Sequence, residues 1–508
     1  MQKISKSRVI IVTIIILTIV VVLAGLINWK TTSEGERLAK QYCASCHAFP
    51  EPQLLTKHVW REYVMPQMAF RMGFPNFDIA AKISPQDYKI VRQVVPDKPL
   101  VTPEQFRLIS EYYQANSPDE LRITKALTND LTLFRPQQIS FEHPFFTLLA
   151  ADPDSKRLIV GTQASRLFVL DSSLNVVDSI HFESPPSHIQ FEGDSAVISL
   201  IGVLMPNDQS RGRLIRSARS DFSKNRTIID SLARPVFFET RPNRYGYDDY
   251  IVCNFGNYTG NLLYHEHKDR EYNVQLLSAT PGARKTCVTD LDHDGRDEIV
   301  ALFAQGDERI SVFDRRDDNT FVESTLVRFP PVYGSNYFEL ADFNGDGFDD
   351  ILFTNGDNGD FSIITKPYHA VRIFINDGKG KFNEKFVFPL PGASQAIAED
   401  FDNDGDLDIA AIAFFADFER SPERGFVYLE NNGNLNFTAQ CTEAGSLGRW
   451  LLMTKWDFDE DGDADIFLGS SSYRGLGANA DIFQHWADKA TPLLLLENMS
   501  SSGSAEKR

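Results

Sequence analysis

Along the chain the apolar positions change period three times. An uncharged apolar run covers Val9 to Ile27. Helix-spaced patterns follow. Ser33-Glu34-Gly35-Glu36 reads as a capping box opening a helix through Leu38, Ala39 and Tyr42. Thr102-Pro103-Glu104-Gln105 opens a second, with Phe106, Ile109 and Tyr113 on one stripe and Asn116-Ser117-Pro118 as its end. Beyond that the pattern is short apolar β-prone runs separated by polar loops. Four such runs are each preceded by an acidic loop, at DLDHDGRDEIVALF, DFNGDGFDDILFTN, DFDNDGDLDIAAIA and DFDEDGDADIFLGS. The loops start at Asp290, Asp342, Asp400 and Asp457, spaced by 52, 58 and 57 residues. A near-constant period of this size is the mark of a repeat architecture.

Within each acidic loop, side-chain oxygens fall at positions one, three and five, Gly at six and an acid at nine. The predicted ligands are Asp290, Asp292, Asp294 and Glu298; Asp342, Asn344, Asp346 and Asp350; Asp400, Asp402, Asp404 and Asp408; Asp457, Asp459, Asp461 and Asp465. Like charges at this density call for a cation, and hard oxygen donors on a glycine-cornered turn suit Ca²⁺. An EF-hand is excluded: its position-twelve Glu is replaced by Ala301, Phe353, Ala411 and Leu468. The loops resemble FG-GAP/VCBS-type calcium repeats, which implies a β-propeller. Upstream, units from Arg157, Ser195 and Asp249 keep the strand-loop-strand pattern without the acidic loop. Three such units and four clear ones predict seven blades over 137–498, with about four Ca²⁺ holding the outer turns of the blades rigid. A closed ring also hides sheet edges.

Each acidic loop precedes a strand and each following polar loop leaves it, so the two loop types lie on opposite faces. The second type lengthens along the chain. Long loops grouped on one face of a rigid scaffold suit ligand binding. The candidates are Asp357, Asp360, Lys366, Tyr368, His369, Arg420, Arg424, Tyr473, Arg474, His485 and Trp486. They form a mixed, aromatic, hydrogen-bonding set suited to a carbohydrate or other polar ligand, or to a redox partner protein.

Cys43-Ala44-Ser45-Cys46-His47 has the spacing that attaches one haem c through two thiols, with His47 as axial ligand. A helix entering this motif and a last helix closing over it resemble a small class I cytochrome c, covering 33–118. That resemblance implies a methionine as the second ligand. Met65, Met68 and Met72 are the candidates; Met68, two residues after Pro66, is favoured, with Met72 the alternative and His58 a bis-His option.

The first apolar run, 19 residues behind Lys3, Lys6 and Arg8, is near the ~20 needed to span a bilayer. It predicts a membrane anchor over 1–30, or a cleaved signal peptide, with the bulk of the chain in the periplasm of a bacterial cell envelope. Residues 119–136 read as a linker and 499–508 as a disordered tail. Cys253, Cys287 and Cys441 lack disulfide-framework spacing and are expected in cores. With 51 basic against 70 acidic residues the net charge is −19, and nothing supplies a basic stripe for nucleic acid. Four divalent ions would add eight charges and bring −19 to −11.

The fold class expected is therefore multidomain: anchor, small all-α cytochrome domain and all-β propeller. The function expected is electron transfer by an anchored monohaem cytochrome, with the propeller as a docking platform. Two alternatives stand beside it, a haem-coupled dehydrogenase acting on a sugar-like substrate and a carbohydrate-binding or lyase propeller. The dehydrogenase needs an organic cofactor, yet no G-x-G-x-x-G opens a βαβ unit. Trp450, Trp456 and Trp486 all fall near the last blade rather than one per blade, unlike quinone-dependent propellers.

Overall fold

The computed structural model describes residues 33–75, 77–121, 127, 130–143, 145–269, 271–359, 364–471, 486 and 491–500. The expected anchor and residues 501–508 of the tail lie outside them. Among the described residues no helix is long and apolar enough to cross a membrane. Contacts divide the chain into two compact units, Met1–Lys82 with Val95–Leu121, and Ile83–Val94 with Arg122–Arg508. Helix Pro85–Val94, expected within 33–118, thus groups with the second unit; its Asp87 carboxylate accepts the amide of Asp208 at 3.2 Å.

The first unit is helical. A helix over 33–42 runs into the short turn Cys43–Ser45. Lys57–Val59 continues through a wider π-helical turn, Trp60–Val64, into Met65–Arg71. Pro103–Asn116 closes the unit, and its expected capping box is formed: Gln105 N–H donates to Thr102 Oγ1 at 3.2 Å and Thr102 N–H to Gln105 Oε1 at 2.9 Å. First and last helices touch at Gly35, where a Cβ would lie 2.4 Å from the Leu108 carbonyl oxygen and 2.9 Å from Tyr112 Cβ. Beneath them Trp60 and Tyr113 pack with ring centres 4.2 Å apart. Their polar atoms donate to the Pro52 and Pro50 carbonyls at 2.8 and 3.0 Å, so neither ring buries an unmet donor.

The second unit holds seven four-stranded antiparallel sheets. Blades 1 to 6 span 146–181, 186–232, 235–278, 283–328, 335–389 and 393–441. Blade 7 takes three strands from 450–498 and its fourth, Phe134–Ile139, from the start of the unit. That strand begins inside the expected linker, three residues ahead of 137. It pairs in continuous register from Phe134 with Asn498 to Ile139 with Leu493, which clasps the two ends of the chain.

The first strands of successive blades touch, and the last, Trp450–Trp456, touches the first, Phe146–Asp152, so these seven strands ring the axis. All seven carry one bulge in the same place, after the first residue, from Phe146/Leu148 in blade 1 to Trp450/Leu452 in blade 7. A bulge bends a strand and raises its twist. Its recurrence in blades 1 to 3 makes them the same structural unit as the blades with acidic loops.

Second strands are apolar throughout because both of their faces are covered. Glu298–Phe303, Asp350–Asn355, Asp408–Ala413 and Asp465–Ser470 are buried at all six positions. Outer strands such as Val176–His181 and Phe321–Arg328 are mostly exposed or half-buried. Cys253 and Cys441 are buried, Cys287 is half-buried, and none forms a disulfide among the described residues.

Gly35→Val should destabilise the first unit by about 3 kcal/mol, since a backbone carbonyl cannot yield to the new methyls. Melting followed by helical circular dichroism on residues 31–121, with the full chain alongside, measures this. Gly35→Ala should fall between the two.

Candidate metal centres

The acidic loops join first to second strands, so they lie next to the axial ring rather than at the blades' outer turns, where the sequence placed them. Each loop repeats one backbone shape. Position four is left-handed at His293, Gly345, Asn403 and Glu460, with φ between 59° and 70°. Position six is Gly295, Gly347, Gly405 and Gly462, at φ 89° to 98°. A Cβ on any of these four glycines would meet nothing within 4 Å, so the need for glycine is conformational, not spatial.

This shape turns the loop amides toward the position-one carboxylate. Asp290 accepts from Asp294 and Gly295 N–H at 3.0 and 2.9 Å. Asp400 does the same with Asp404 and Gly405 at 3.0 and 3.0 Å, and Asp342 with Asp346 and Gly347 at 3.2 and 2.8 Å. The carboxylates converge as a result. Ligand oxygens of Asp290, Asp292 and Asp294 lie within 4.8 Å of one another, as do those of Asp400, Asp402 and Asp404 and of Asp457, Asp459 and Asp461. In the second loop the middle side chain is Asn344, whose Nδ2 donates to Asp346 Oδ2 at 3.0 Å and whose Oδ1 accepts the Asp346 amide at 2.9 Å. The fourth loop adds an orphan: Asp457 Oδ1 is buried and accepts no hydrogen bond. An all-oxygen donor set with an unmet buried carboxylate oxygen fits a hard divalent cation of the calcium class.

The position-nine acids play a second part. Asp350, Asp408 and Asp465 are at most 1 % exposed and Glu298 is 7 % exposed. Each turns one oxygen back to the amide of loop position two: Leu291 to Glu298 at 2.9 Å, Phe343 to Asp350 at 3.0 Å, Phe401 to Asp408 at 3.1 Å and Phe458 to Asp465 at 2.9 Å. The other oxygen of the three aspartates takes the amide ending the third strand, Asn376, Asn431 or Asn498, at 2.8 Å each. Tyr428 OH donates to Asp408 as well, at 2.6 Å. The asparagine side chains carry the link onward. Asn376 Nδ2 donates to the Leu291 carbonyl of blade 4 at 3.4 Å, and Asn498 Nδ2 to the Phe401 carbonyl of blade 6 at 2.7 Å. Burial, with the neighbouring loop carboxylates adding, pushes Asp350, Asp408 and Asp465 up to about 6.

Blades 1 to 3 lack the acidic triplets and solve the same joint differently. In blade 3, Asp249 keeps the position-nine role: it accepts His267 N–H at 2.8 Å, Asn243 Nδ2 at 2.7 Å and Tyr264 OH at 2.5 Å. In blade 1, Asp152 is wholly buried between Arg157 and Arg219, the latter reaching across from blade 2. These residues were not singled out from sequence, because an isolated Asp or Arg there has no repeat to mark it.

On the opposite face the predicted ligand residues scatter. Asp360, Tyr473, Arg474 and His485 fall outside the described residues. Asp357 and Arg420 are exposed. Lys366, His369, Arg424 and Trp486, from the candidate ligand set, are buried. His369 accepts the Gly392 amide at 3.2 Å, and burial holds its pKa well below the usual range. Arg424 donates to the Pro389 carbonyl, and Trp486 meets Phe418 edge-on at 4.7 Å. Tyr368 stacks on Tyr333 at 5.1 Å. These side chains close gaps between blades. Glu308, missed from sequence, is buried there too: it takes both the amide and hydroxyl of Ser335 in the next blade, and burial lifts it to about 7.

In the helical unit Cys43, His47, Met68 and Met72 are all half-buried, at the margin of a core holding Val59, Trp60, Met65 and Tyr113. Cys43 and Cys46 are not bonded to each other. His47 Nδ1 donates to the Ala48 carbonyl at 2.9 Å. Met68 lies inside helix Met65–Arg71 and Met72 at its C-terminal cap, while His58 is exposed.

A family model for the FG-GAP-like repeat matches residues 290–353 and 355–411, which hold the first three acidic loops. No curated protein matches. Among solved structures, the β-propeller domain of Cps50 (Swd1) from Myceliophteria thermophila is 10% identical, covering 72% of this chain and 98% of that one, with a TM-score of 0.45.

Two outcomes follow from the division between loop and clamp. Asp402→Asn should weaken Ca²⁺ binding, read by calorimetry, and leave the chelator-treated melting temperature unchanged. Asp408→Ala should destabilise the ring with or without metal, by about 3 kcal/mol, because three donors lose a buried acceptor. The difference in melting temperature between Ca²⁺ and chelator should also shrink from pH 7.5 to pH 5. Carboxyls raised to about 6 bind protons in the folded, metal-free ring that the unfolded chain does not, so that form gains stability as pH falls. Protons displace the metal over the same range.

Proposed function

We propose that this protein is an exported, membrane-anchored monohaem c-type cytochrome that transfers single electrons, with its propeller as a calcium-stabilised docking platform for a redox partner. The observation that carries the reading is Cys43-x-x-Cys46-His47 at the end of the helix over 33–42, its two thiols unpaired and half-buried to exposed. When bound, haem would supply a one-electron iron couple. Cys43 and Cys46 would hold it and His47 would stand as axial ligand. The bond from His47 Nδ1 to the Ala48 carbonyl sets the plane of the ring, the usual outer-shell support of a ligating histidine. Met68 is the favoured second ligand and Met72 the alternative. The buried Trp60 and Tyr113 rings make the wall behind Cys43 apolar, and that burial raises the Cys43 thiol to about 11.

Calcium belongs to the same reading. The four loops, filled, would fix the joints between blades 4 to 7 and leave the platform rigid. The anchor over 1–30 and a periplasmic location rest on the apolar run Val9 to Ile27 and its basic flank.

Expression of residues 31–508 with haem-attachment machinery should give one haem per chain in the pyridine haemochrome spectrum. Cys46→Ala should leave a single thioether and a shifted α-band. Met68→Ala should abolish the sulfur-to-iron band near 695 nm and lower the potential, while Met72→Ala should not; the reverse pattern assigns Met72. A chain that takes up no haem refutes the electron-transfer function.

A further inference from the structure

The acidic-loop face is not uniform. Over blades 4 to 7 it carries the carboxylate triplets. Over blades 2 and 3 the corresponding loops are Glu192–Ser195 and the segment from Asn243 to Tyr247, and there the surface is aromatic and cationic. Tyr247 and Tyr272 sandwich the imidazole of His267, with ring centres 4.4 and 4.6 Å apart and planes tilted by 35° and 34°. Tyr247 and Tyr245 are 37% and 39% exposed. Arg244 and Lys268 both lie over the Tyr245 ring, at 5.0 and 5.5 Å.

A cleft of about 670 Å³ opens beside this stack in blade 2, and Arg216, Lys224 and Arg226 are among its lining residues. Arg216, opposite Arg226 on the neighbouring strand, donates to Tyr250 OH at 2.6 Å, and the Tyr250 ring meets Tyr272 with centres 6.0 Å apart, which joins cleft and stack into one surface. Of the two acids lining the cleft, Glu192 pairs with Arg216 at 2.6 Å, as does Asp248 outside the lining, while Asp194 is exposed and enters no ion pair among the described residues. Lys224 pairs with Asp221 at 2.9 Å. Arg226, Arg244 and Lys268 enter no ion pair among the described residues. Most arginines of the ring are paired, among them Arg157, Arg219, Arg309 and Arg372. Unpaired cations around exposed tyrosine rings, on a chain of net charge −19, mark a place where an anionic ligand meets a flat one.

We propose that this surface over blades 2 and 3 binds a uronate-bearing oligosaccharide. Its sugar faces would lie on the Tyr245 and Tyr247 rings, and its carboxylates would meet Arg226, Arg244 and Lys268. The cleft accommodates a sugar unit beyond the stack, with Ser195 and Asn225 as hydroxyl partners. A peptide of acidic residues would use the cations and leave the rings idle. The site needs neither haem nor metal, and it lies on the face opposite the long loops, so it stands apart from the proposed redox function.

The test uses the full exported chain and three probes in calorimetry at 0.15 M salt. The probes are a hyaluronan decasaccharide, a neutral N-acetylglucosamine oligomer and a poly-glutamate decapeptide. Expected is binding of the uronate oligomer, at least tenfold weaker binding of the neutral one, and weakening by added salt. Tyr247→Ala and Arg244→Ser should each reduce uronate affinity about tenfold without moving the melting temperature. If Tyr247→Ala lowers the melting temperature, Arg244→Ser and Lys268→Ser carry the test alone. Poly-glutamate binding as tight as the uronate, or equal binding of the neutral oligomer, overturns the proposal. So does an unchanged affinity in Arg244→Ser and Lys268→Ser, and so does absence of uronate binding.

Discussion

The ring depends on one buried contact repeated around it: a carboxylate at the head of a second strand, accepting amides from the preceding loop and from the end of the third strand. Asp350, Asp408 and Asp465 make it with both oxygens, and Asp249 makes it in a blade with no acidic triplet. Burying a carboxylate is costly unless its lone pairs are met. In Asp350, Asp408 and Asp465 both oxygens are met by backbone amides whose positions are set by the strands themselves, and in Asp249 by one such amide with the Asn243 side chain and the Tyr264 hydroxyl. The clamp therefore tests the geometry of three elements at once. It also explains why the loop can be so tight, since position two is drawn inward and positions three to five are left to project.

That projection creates the next constraint. Once position nine is fixed, the carboxylates at one, three and five have nowhere to separate. Loop amides meet some of their lone pairs, but Asp457 Oδ1 has none. In blade 1 the equivalent crowding is avoided by arginine, with Arg157 and Arg219 meeting both oxygens of Asp152. An arginine supplies one charge and fixed donors permanently. A divalent ion supplies two and can leave. The ring thus has, in blade 1, a joint neutralised from within the chain and, in blades 4, 6 and 7, clusters of converging carboxylates.

Much of this was legible in the sequence, for identifiable reasons. The acidic loops were readable because carboxylate, glycine and apolar run recur in register. Seven blades were readable because two-sided burial forces a continuous apolar second strand, which survives in Arg157–Thr162 and Asp248–Asn254 without any metal loop. The capping box of Pro103–Asn116 was readable because both of its partners are local. What failed was non-local. Whether a polar side chain on a long loop faces solvent or fills an inter-blade gap depends on the neighbouring blade, and so His369, Lys366 and Arg424 were assigned to a surface when they are buried. The closing strand was hidden for the same reason: Phe134–Ile139 shows an apolar residue only at each end, and it becomes a strand by pairing with Leu493–Asn498, more than three hundred residues away.

The closing strand is also where the start and the end of the ring meet. It is the first element of the ring after the helical unit, and its partner ends at Asn498, which is held by Asp465 and in turn donates to the Phe401 carbonyl of blade 6. Asn403 and Asp463, from the third and fourth acidic loops, both bond Ser500 just beyond. The clasp is thus pinned by the two loops nearest it in space rather than by its own edge pairing alone. A ring closed this way draws its last joint from side chains of neighbouring blades as well as from strand pairing, while the helical unit has its own core of Trp60 and Tyr113.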